Sequence, residues 1–291
     1  MSGHSISFEF FPPRTPEAAG KLATTTERLA RLRPEFFSVT FGAGGSTRDS
    51  TLETVLKIRQ TTGIAAAPHL SCIGTPLTQL RAVIHRYRDE GIRRIVILRG
   101  DMPSGTTGFG ELRYANELVE FVRRETGDLF HIEVAAYPEF HPQAVSAEAD
   151  LQNFKHKVDA GANSAITQYF YNPDAYFRFV DSCRALGIEI SIVPGVMPII
   201  NYSQLTRFSE MCGAEIPRWI AKRLHDFGDD RNAIRNFGVD VTTELCARLL
   251  AGGAPGLHFY TMNQYEAVEA IFRNLGRDNA TRRATSQPSD A

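Results

Sequence analysis

Short runs rich in apolar and β-branched residues alternate along this chain with longer segments whose apolar positions recur every three or four residues. The short runs are SISFEFF from Ser5, FFSVT from Phe36, IAAAPHLSC from Ile64, RIVILRG from Arg94, HIEVAAY from His131, SAITQYF from Ser164, EISIVPGV from Glu189 and GLHFYTM from Gly256. They predict eight strands. Between them, positions such as Leu112, Ala115, Leu118, Val119 and Val122 place one apolar stripe on a charged cylinder, the mark of an amphipathic helix. Gly91, Gly161 and Gly187 each close such a segment just before a strand, where a C-terminal glycine cap belongs. RIVILRG and EISIVPGV are nearly unbroken apolar runs, as strands covered on both faces are.

Strand and helix in strict alternation, eight times over, predict an α/β fold: a single-domain (β/α)8 TIM barrel over residues 1–275, followed by a polar, aperiodic tail over 276–291. One interval breaks the rhythm. Roughly sixty residues separate the seventh strand from the eighth, and they predict extra helices over NYSQLTRFSEM, over Pro217 to Phe227 and from about Asp229 to Leu250.

Composition narrows the function classes. The 291 residues are 43% hydrophobic and 22% charged, enough apolar material for a sizeable core. Lys and Arg total 32 against 33 Asp and Glu, so there is no electrostatic reason to expect nucleic acid or an anionic membrane as partner. No basic leader and no run of about 18 apolar residues stands in the sequence, so a cytoplasmic protein is expected. Cys72, Cys183, Cys212 and Cys246 form no CxxC pair and are expected to be buried reduced thiols.

In a barrel of this type the chemistry sits at the C-terminal ends of the strands. There the chain places Glu9 on the first strand, while Thr40 ends the second, His69 the third, Arg99 and Asp101 the fourth, Tyr137 the fifth, Gln168 the sixth and Tyr260 the eighth. Glu9 raises a question of its own, because a carboxylate between Phe8, Phe10 and Phe11 is costly unless it is paired, metal-bound or protonated. A structural ion pair with Arg14 or another arginine is the plain alternative to a working acid. Plain readings exist for the others too: a turn cap for Thr40, a backbone contact for His69, the start of a turn for Asp101.

Absences test the familiar chemistries. The five lysines, Lys21, Lys57, Lys155, Lys157 and Lys222, all fall in predicted helices, which weakens a Schiff-base mechanism. His69 and His141 stand on different units and no HxH occurs, so no metal is expected. Gly42, Gly44 and Gly45 in FGAGGSTRD could bring backbone N–H groups to a ligand, but no GxGxxG follows the first strand and a Rossmann reading fails.

The segments SFEFFPPR, SVTFGAGGSTRD, APHLSC, ILRGD, AAYPEFHP, KVDAGANSAITQYF, VPGVMP and HFYTMN, taken in order from Ser7 to about Leu275, resemble the bacterial methylenetetrahydrofolate reductases. The resemblance implies a (β/α)8 flavoprotein that passes hydride from NADH or NADPH to FAD, and then to 5,10-methylenetetrahydrofolate, giving 5-methyltetrahydrofolate for methionine biosynthesis. It implies that Thr40, His69, Leu98, Arg99, Gly100, Asp101, Tyr114, Ala115, Ala135, Tyr137, His141, Asp150, Asn153 and Lys157 hold FAD. It further implies that Glu9, Asp101, Gln168 and Phe208 hold the folate, that the nicotinamide stacks in the same place, and so that the order is ping-pong; a homo-oligomer is expected. Gln264 and His156 stand where some members carry a more basic residue, which puts in doubt a contact to the folate glutamate tail and one to the cofactor. The longer regulatory C-terminal domain of the eukaryotic enzymes is absent from this sequence.

The implied chemistry answers the question about Glu9. N10 of the folate leaves poorly unless an acid protonates it, and the resulting 5-iminium cation accepts hydride. Glu9 is the expected acid, with desolvation by the flanking phenylalanines and a stacked flavin expected to lift its pKa from about 4.3. Asp101 offers an acceptor to the amino-pyrimidine edge of the pterin and Gln168 a donor and acceptor to the rest of that edge, while Phe208 stacks on the aminobenzoyl group or the nicotinamide. Two rivals stay open: a barrel flavoprotein acting on another substrate such as an imino acid, and a folate- or flavin-binding protein that does no chemistry.

Overall fold

The structure is a computed structural model, and it describes residues 4–41, 46–100 and 110–276, with the backbone alone described at 46–48. The glycines of the FGAGGSTRD turn, Asp101 and the tail after Gly276 lie outside the described residues.

Parallel strands β1 (Ser5–Phe10), β2 (Phe36–Val39), β3 (Ala66–Ser71), β4 (Arg94–Leu98), β5 (His131–Ala136) and β6 (Ser164–Thr167) pair in sequence order. Helices α1 (Pro16–Ala30), α2 (Ser46–Thr62), α3 (Leu77–Asp89), α4 (Ala115–Thr126), α5 (Ala147–Asp159) and α6 (Pro173–Ala185) follow them in turn. The expected seventh strand is cut in two. β7 (Ser191–Val193) pairs with β6, whereas β8 (Gly195–Val196) pairs with β9 (Gly256–Tyr260), which in turn pairs with β1. Pro194 stands at the break. It has no N–H to give a ladder, and its carbonyl oxygen accepts instead from His258 N at 3.0 Å, so the run changes neighbours there and nearly closes the ring.

The extra helices fall where the broken rhythm puts them: α7 (Tyr202–Cys212), α8 (Arg218–Asp226) and α9 (Arg231–Ala251), with α10 (Glu266–Asn274) after the last strand. Gly91, Gly161 and Gly187 all adopt positive φ after their helices, as expected of C-terminal caps.

Two apolar compartments follow from strand alternation. Phe8, Phe10, Phe37, Val39 and Leu70 point outward into the large core between sheet and helices. Phe36, Ala67, Val96 and Ile166 point inward, packed with Leu98 and Tyr260, and form a small separate cluster inside the barrel. The base of the barrel is polar and closed by charge. Glu133, 2% exposed, meets Arg94 at 3.1 Å and His131 at 3.2 Å and accepts from Ser164 at 2.6 Å, while Arg94 also pairs with Glu35 and lies over the Phe36 ring.

Candidate active site

Register decides what Glu9 touches. It lies beside Ser38 of β2 and Tyr260 of β9, and Ser7, two residues earlier, lies beside Phe36 and His258. Side chains at i and i+2 share a face, so Ser7 and Glu9 look into the barrel and Phe8 and Phe10 look away from it. The expected phenylalanine pocket around the carboxylate is therefore corrected: Phe8 and Phe10 are buried on the opposite face of the strand and Phe11 is 41% exposed. Among the described residues, two imidazoles meet the carboxylate, His69 Nε2 at 3.3 Å and His258 Nε2 at 3.6 Å, with the Glu9 side chain 13% exposed. Among the described residues its ion partners include no arginine or lysine, so the structural pair with Arg14 is not found.

His258 is fully buried and its Nδ1 lies 2.7 Å from Ser7 Oγ. Its ring stacks on Phe36, with centroids 6.2 Å apart, and meets the Tyr260 ring edge-on at 5.3 Å. Burial pulls the His69 pKa below the ordinary histidine value, with Glu9 opposing and His258 adding to the shift, so this ring is held neutral. Neither nitrogen of His69, nor His258 Nε2, nor Ser38 Oγ has a hydrogen-bond partner among the described residues; the approach of the imidazoles to Glu9 is close but off the hydrogen-bond line. Four unbonded buried polar atoms on β2, β3 and β9 make this the least satisfied part of the described interior, and such atoms ask for a reason. Ser7 and His258 escaped the reading of the sequence; the signal was there in the two-residue period that links Ser7 to Glu9 and His258 to Tyr260.

The other expected positions fall on consecutive units of the rim. Thr40 follows β2, its carbonyl accepting from Thr51 at 3.0 Å. Leu98 ends β4, and Arg99 reaches Gln143 at 2.6 Å. Gly100 has φ +86, and a Cβ there would lie 2.0 Å from Ser71 Oγ, so the ILRGD turn requires glycine. Tyr114, 58% exposed, and Ala115 open α4. Tyr137 and His141 meet ring to ring at 4.7 Å, and His141 N donates to Asp150 at 3.0 Å. Asn153 is exposed on α5, one turn before Lys157.

Gln168 follows β6 and accepts from Tyr169 N at 3.0 Å. Phe208 lies on α7, half-buried against the main core with Arg207 beside its ring at 5.3 Å. The arrangement thus joins Glu9 and His69 directly and carries Thr40 through Lys157 along neighbouring units. Among the described residues, the side-chain hydrogen bond of Gln168 and the ring contact of Phe208 are made with their chain neighbours and not with Glu9. Cys72, Cys183 and Cys246 are buried as expected, and Cys212 is half-buried.

Lys157 does sit on a helix, yet its ammonium is desolvated and donates to the carbonyl oxygen of Ala135 on β5 at 2.5 Å. Burial pulls its pKa down to about 8, with Asp150 opposing. A half-buried lysine whose acceptor is one neutral carbonyl suits a bound anion, and the unbonded nitrogens of His69 suit a polar ring edge. Those two features fit a group that carries phosphate and a heteroaromatic ring. Among the described residues no cluster of His, Cys, Asp and Glu could hold a metal ion, and no helix is long and apolar enough to cross a membrane.

Residues 2–276 match the family model described as methylenetetrahydrofolate reductase. The chain is 44% identical over 272 residues to the 5,10-methylenetetrahydrofolate reductase of Escherichia coli (strain K12), covering 94% of this chain and 90% of that one. It is 38% identical over 285 residues to a Zea mays protein named methylenetetrahydrofolate reductase (NADH) 1, covering 94% of this chain and 48% of the plant protein. In fold it resembles an uncharacterized protein from Clostridium thermocellum that binds two copies of 5-methyl-5,6,7,8-tetrahydrofolic acid, with a TM-score of 0.68 at 16% identity over 97% of this chain and 96% of that one.

Proposed function

The chain belongs to the methylenetetrahydrofolate reductase family, and from that membership we propose that it reduces 5,10-methylenetetrahydrofolate to 5-methyltetrahydrofolate, with FAD bound in the barrel mouth and NADH or NADPH as hydride donor, for methionine biosynthesis. The observation that carries the reading is the Glu9 carboxyl, set inside the barrel against two imidazoles and without a cationic partner among the described residues. A carboxyl so placed can carry a proton to a substrate atom, whereas one locked to an arginine could not.

Glu9 is the proton donor in this reading. Its O–H bond breaks as N10 takes the proton, the C–N10 bond opens, and the 5-iminium cation is ready for hydride. Placement of such an acid is worth roughly 10² to 10⁴ in rate. Gln168 and Phe208, with Asp101, hold the folate and then the nicotinamide in turn, so the two half-reactions alternate. Thr40, His69, Arg99, Tyr137, His141, Asp150 and Lys157 hold FAD, with Lys157 supplying positive charge to its diphosphate. The chemistry FAD supplies when bound is the storage of a hydride between the two half-reactions.

The test is anaerobic spectroscopy of the flavin-loaded protein. NADH or NADPH should bleach the flavin, and methylenetetrahydrofolate should restore its colour with one equivalent of methyltetrahydrofolate formed. Bleaching that the folate does not reverse points to a barrel flavoprotein with another substrate. A flavin that never bleaches points to a binding protein.

A further inference from the structure

Resting on Glu9 as the acid, we propose that His258, aimed by Ser7, and His69 are positioning residues that hold the Glu9 carboxyl in both of its protonation states. An acid that gives up a proton each turnover must be satisfied twice, once as O–H donor and once as carboxylate acceptor. A neutral imidazole nitrogen serves one of these needs at a time, because it either bears a proton or offers a lone pair. Two rings serve both. One accepts from the protonated carboxyl and the other donates N–H to the carboxylate left behind, and neither changes its tautomer.

The geometry brings both rings close to one oxygen of that carboxyl from two sides of the interior, with the hydrogen bonds still to be made. His69 Nε2 approaches Glu9 Oε2 at 3.3 Å from β3, and His258 Nε2 approaches the same oxygen at 3.6 Å from β9. His258 cannot swing, since it is fully buried, tied to Ser7 Oγ at 2.7 Å and packed on Phe36 and Tyr260. The Ser7 hydroxyl can donate to or accept from Nδ1, and whichever it does decides what Nε2 offers to Glu9.

Among the described residues, the further titratable neighbour Tyr260 is committed elsewhere, its hydroxyl donating to the Thr167 carbonyl oxygen at 2.7 Å. Ser38, beside Glu9 on β2, does not titrate in this range. A structural histidine would have bonded both its nitrogens, because an unmade hydrogen bond in the interior is expensive. Here both Nε2 atoms that face the carboxyl are left unbonded, and so is Nδ1 of His69. The proton given to N10 leaves from Glu9 and is replaced from solvent at the mouth.

Ser7→Ala and His258→Leu test this, each read in both half-reactions by stopped flow across pH 5.5 to 9. Flavin reduction by the nicotinamide should stay within about twofold of the wild type. The folate half-reaction should slow by about tenfold in Ser7→Ala and more in His258→Leu, with its pH midpoint displaced. If His258→Leu does not fold, Ser7→Ala decides alone. A folate half-reaction with the wild-type rate and pH profile in Ser7→Ala overturns the proposal, as does an equal loss in both half-reactions.

A second readout needs no folate: the 15N shifts of the His69 and His258 side chains in the resting protein. Glu9→Gln should move both, and Ser7→Ala should move His258. Unchanged shifts sink the positioning role even if the enzyme reduces folate. Wild-type protein that reduces no folate while its shifts respond sinks the activity and leaves the cluster standing.

Discussion

Lys157 Nζ donates to the carbonyl oxygen of Ala135 at 2.5 Å, so a half-buried helix lysine sets its ammonium against a strand backbone. With its pKa held near 8 by burial, and the unfolded value near 10.4, the unfolded chain binds more protons between those limits, and the protein gains stability as pH rises through them. Lys157→Met should lose that rise. In flavin-free protein its melting temperature should exceed that of the wild type at pH 7, and the gap should narrow by pH 10. Titration with FAD should show about tenfold weaker binding in the variant, because the buried positive charge is gone. A melting difference that stays constant across that range would show the ammonium to be solvated.

His69 works in the opposite direction on the pH scale. Its folded pKa is depressed chiefly by burial, so as pH falls below about 6.5 the unfolded chain takes up a proton that the folded protein refuses. Stability is therefore lost on the acid side. His69→Gln should flatten the fall in melting temperature between pH 7 and 5, measured without flavin. An identical acid limb in wild type and variant would mean that the ring is protonated inside the folded barrel.

The alternation of strands and helices was legible because burial on both faces writes continuous apolar runs, and glycine caps punctuate the turns. The break at Pro194 was visible as a residue but not as a switch of partner, since pairing across the ring is set by closure and not by local preference. Glu9 was legible as an anomaly, though its surroundings were misjudged: Phe8 and Phe10 adjoin it in sequence and face away from it in space. His258 and Ser7 were hidden for the converse reason. Each reads as an ordinary strand residue until the register of β1 with β9 sets them opposite one another. The desolvation of Lys157 was equally out of reach, because only packing shows that a helix lysine reaches a strand carbonyl.

Glu9→Gln should keep FAD and its reduction by the nicotinamide at wild-type rates, while methyl formation falls by roughly 10² to 10⁴. The amide is nearly isosteric and stays beside His69 and His258, but it has no proton to give N10. Rapid mixing of the reduced variant with methylenetetrahydrofolate measures this directly. Wild-type folate turnover would remove Glu9 from the chemistry.

Gly195 sits where the ring closes. Its N–H donates to Thr167 Oγ1 at 2.8 Å, and a Cβ there would lie 2.1 Å from the Thr167 carbonyl oxygen and 2.7 Å from the Tyr260 ring. Gly195→Ala should therefore break the Gly195 contact with Thr167 and displace Tyr260, at a cost of about 1–3 kcal/mol or more in chemical denaturation. A neutral result would mean that the two ends of the sheet stand farther apart in solution.

The charge cluster at the base separates stability from catalysis. Glu133 is buried against Arg94, His131 and Ser164, and Arg94 divides its guanidinium between Glu133 and Glu35. Removing the cation alone leaves a buried carboxylate uncompensated, which typically costs about 3–5 kcal/mol, whereas replacing both partners by groups without charge costs much less. Arg94→Met should thus be strongly destabilised in urea, and Arg94→Met with Glu133→Gln should recover most of the loss. The Glu133 site lies at the opposite end of β5 from Tyr137, away from Glu9 and His69, so the folded fraction of each variant should keep both half-reactions at wild-type rates. If the double variant is no more stable than Arg94→Met, the arginine acts through its packing on Phe36 and not through its charge.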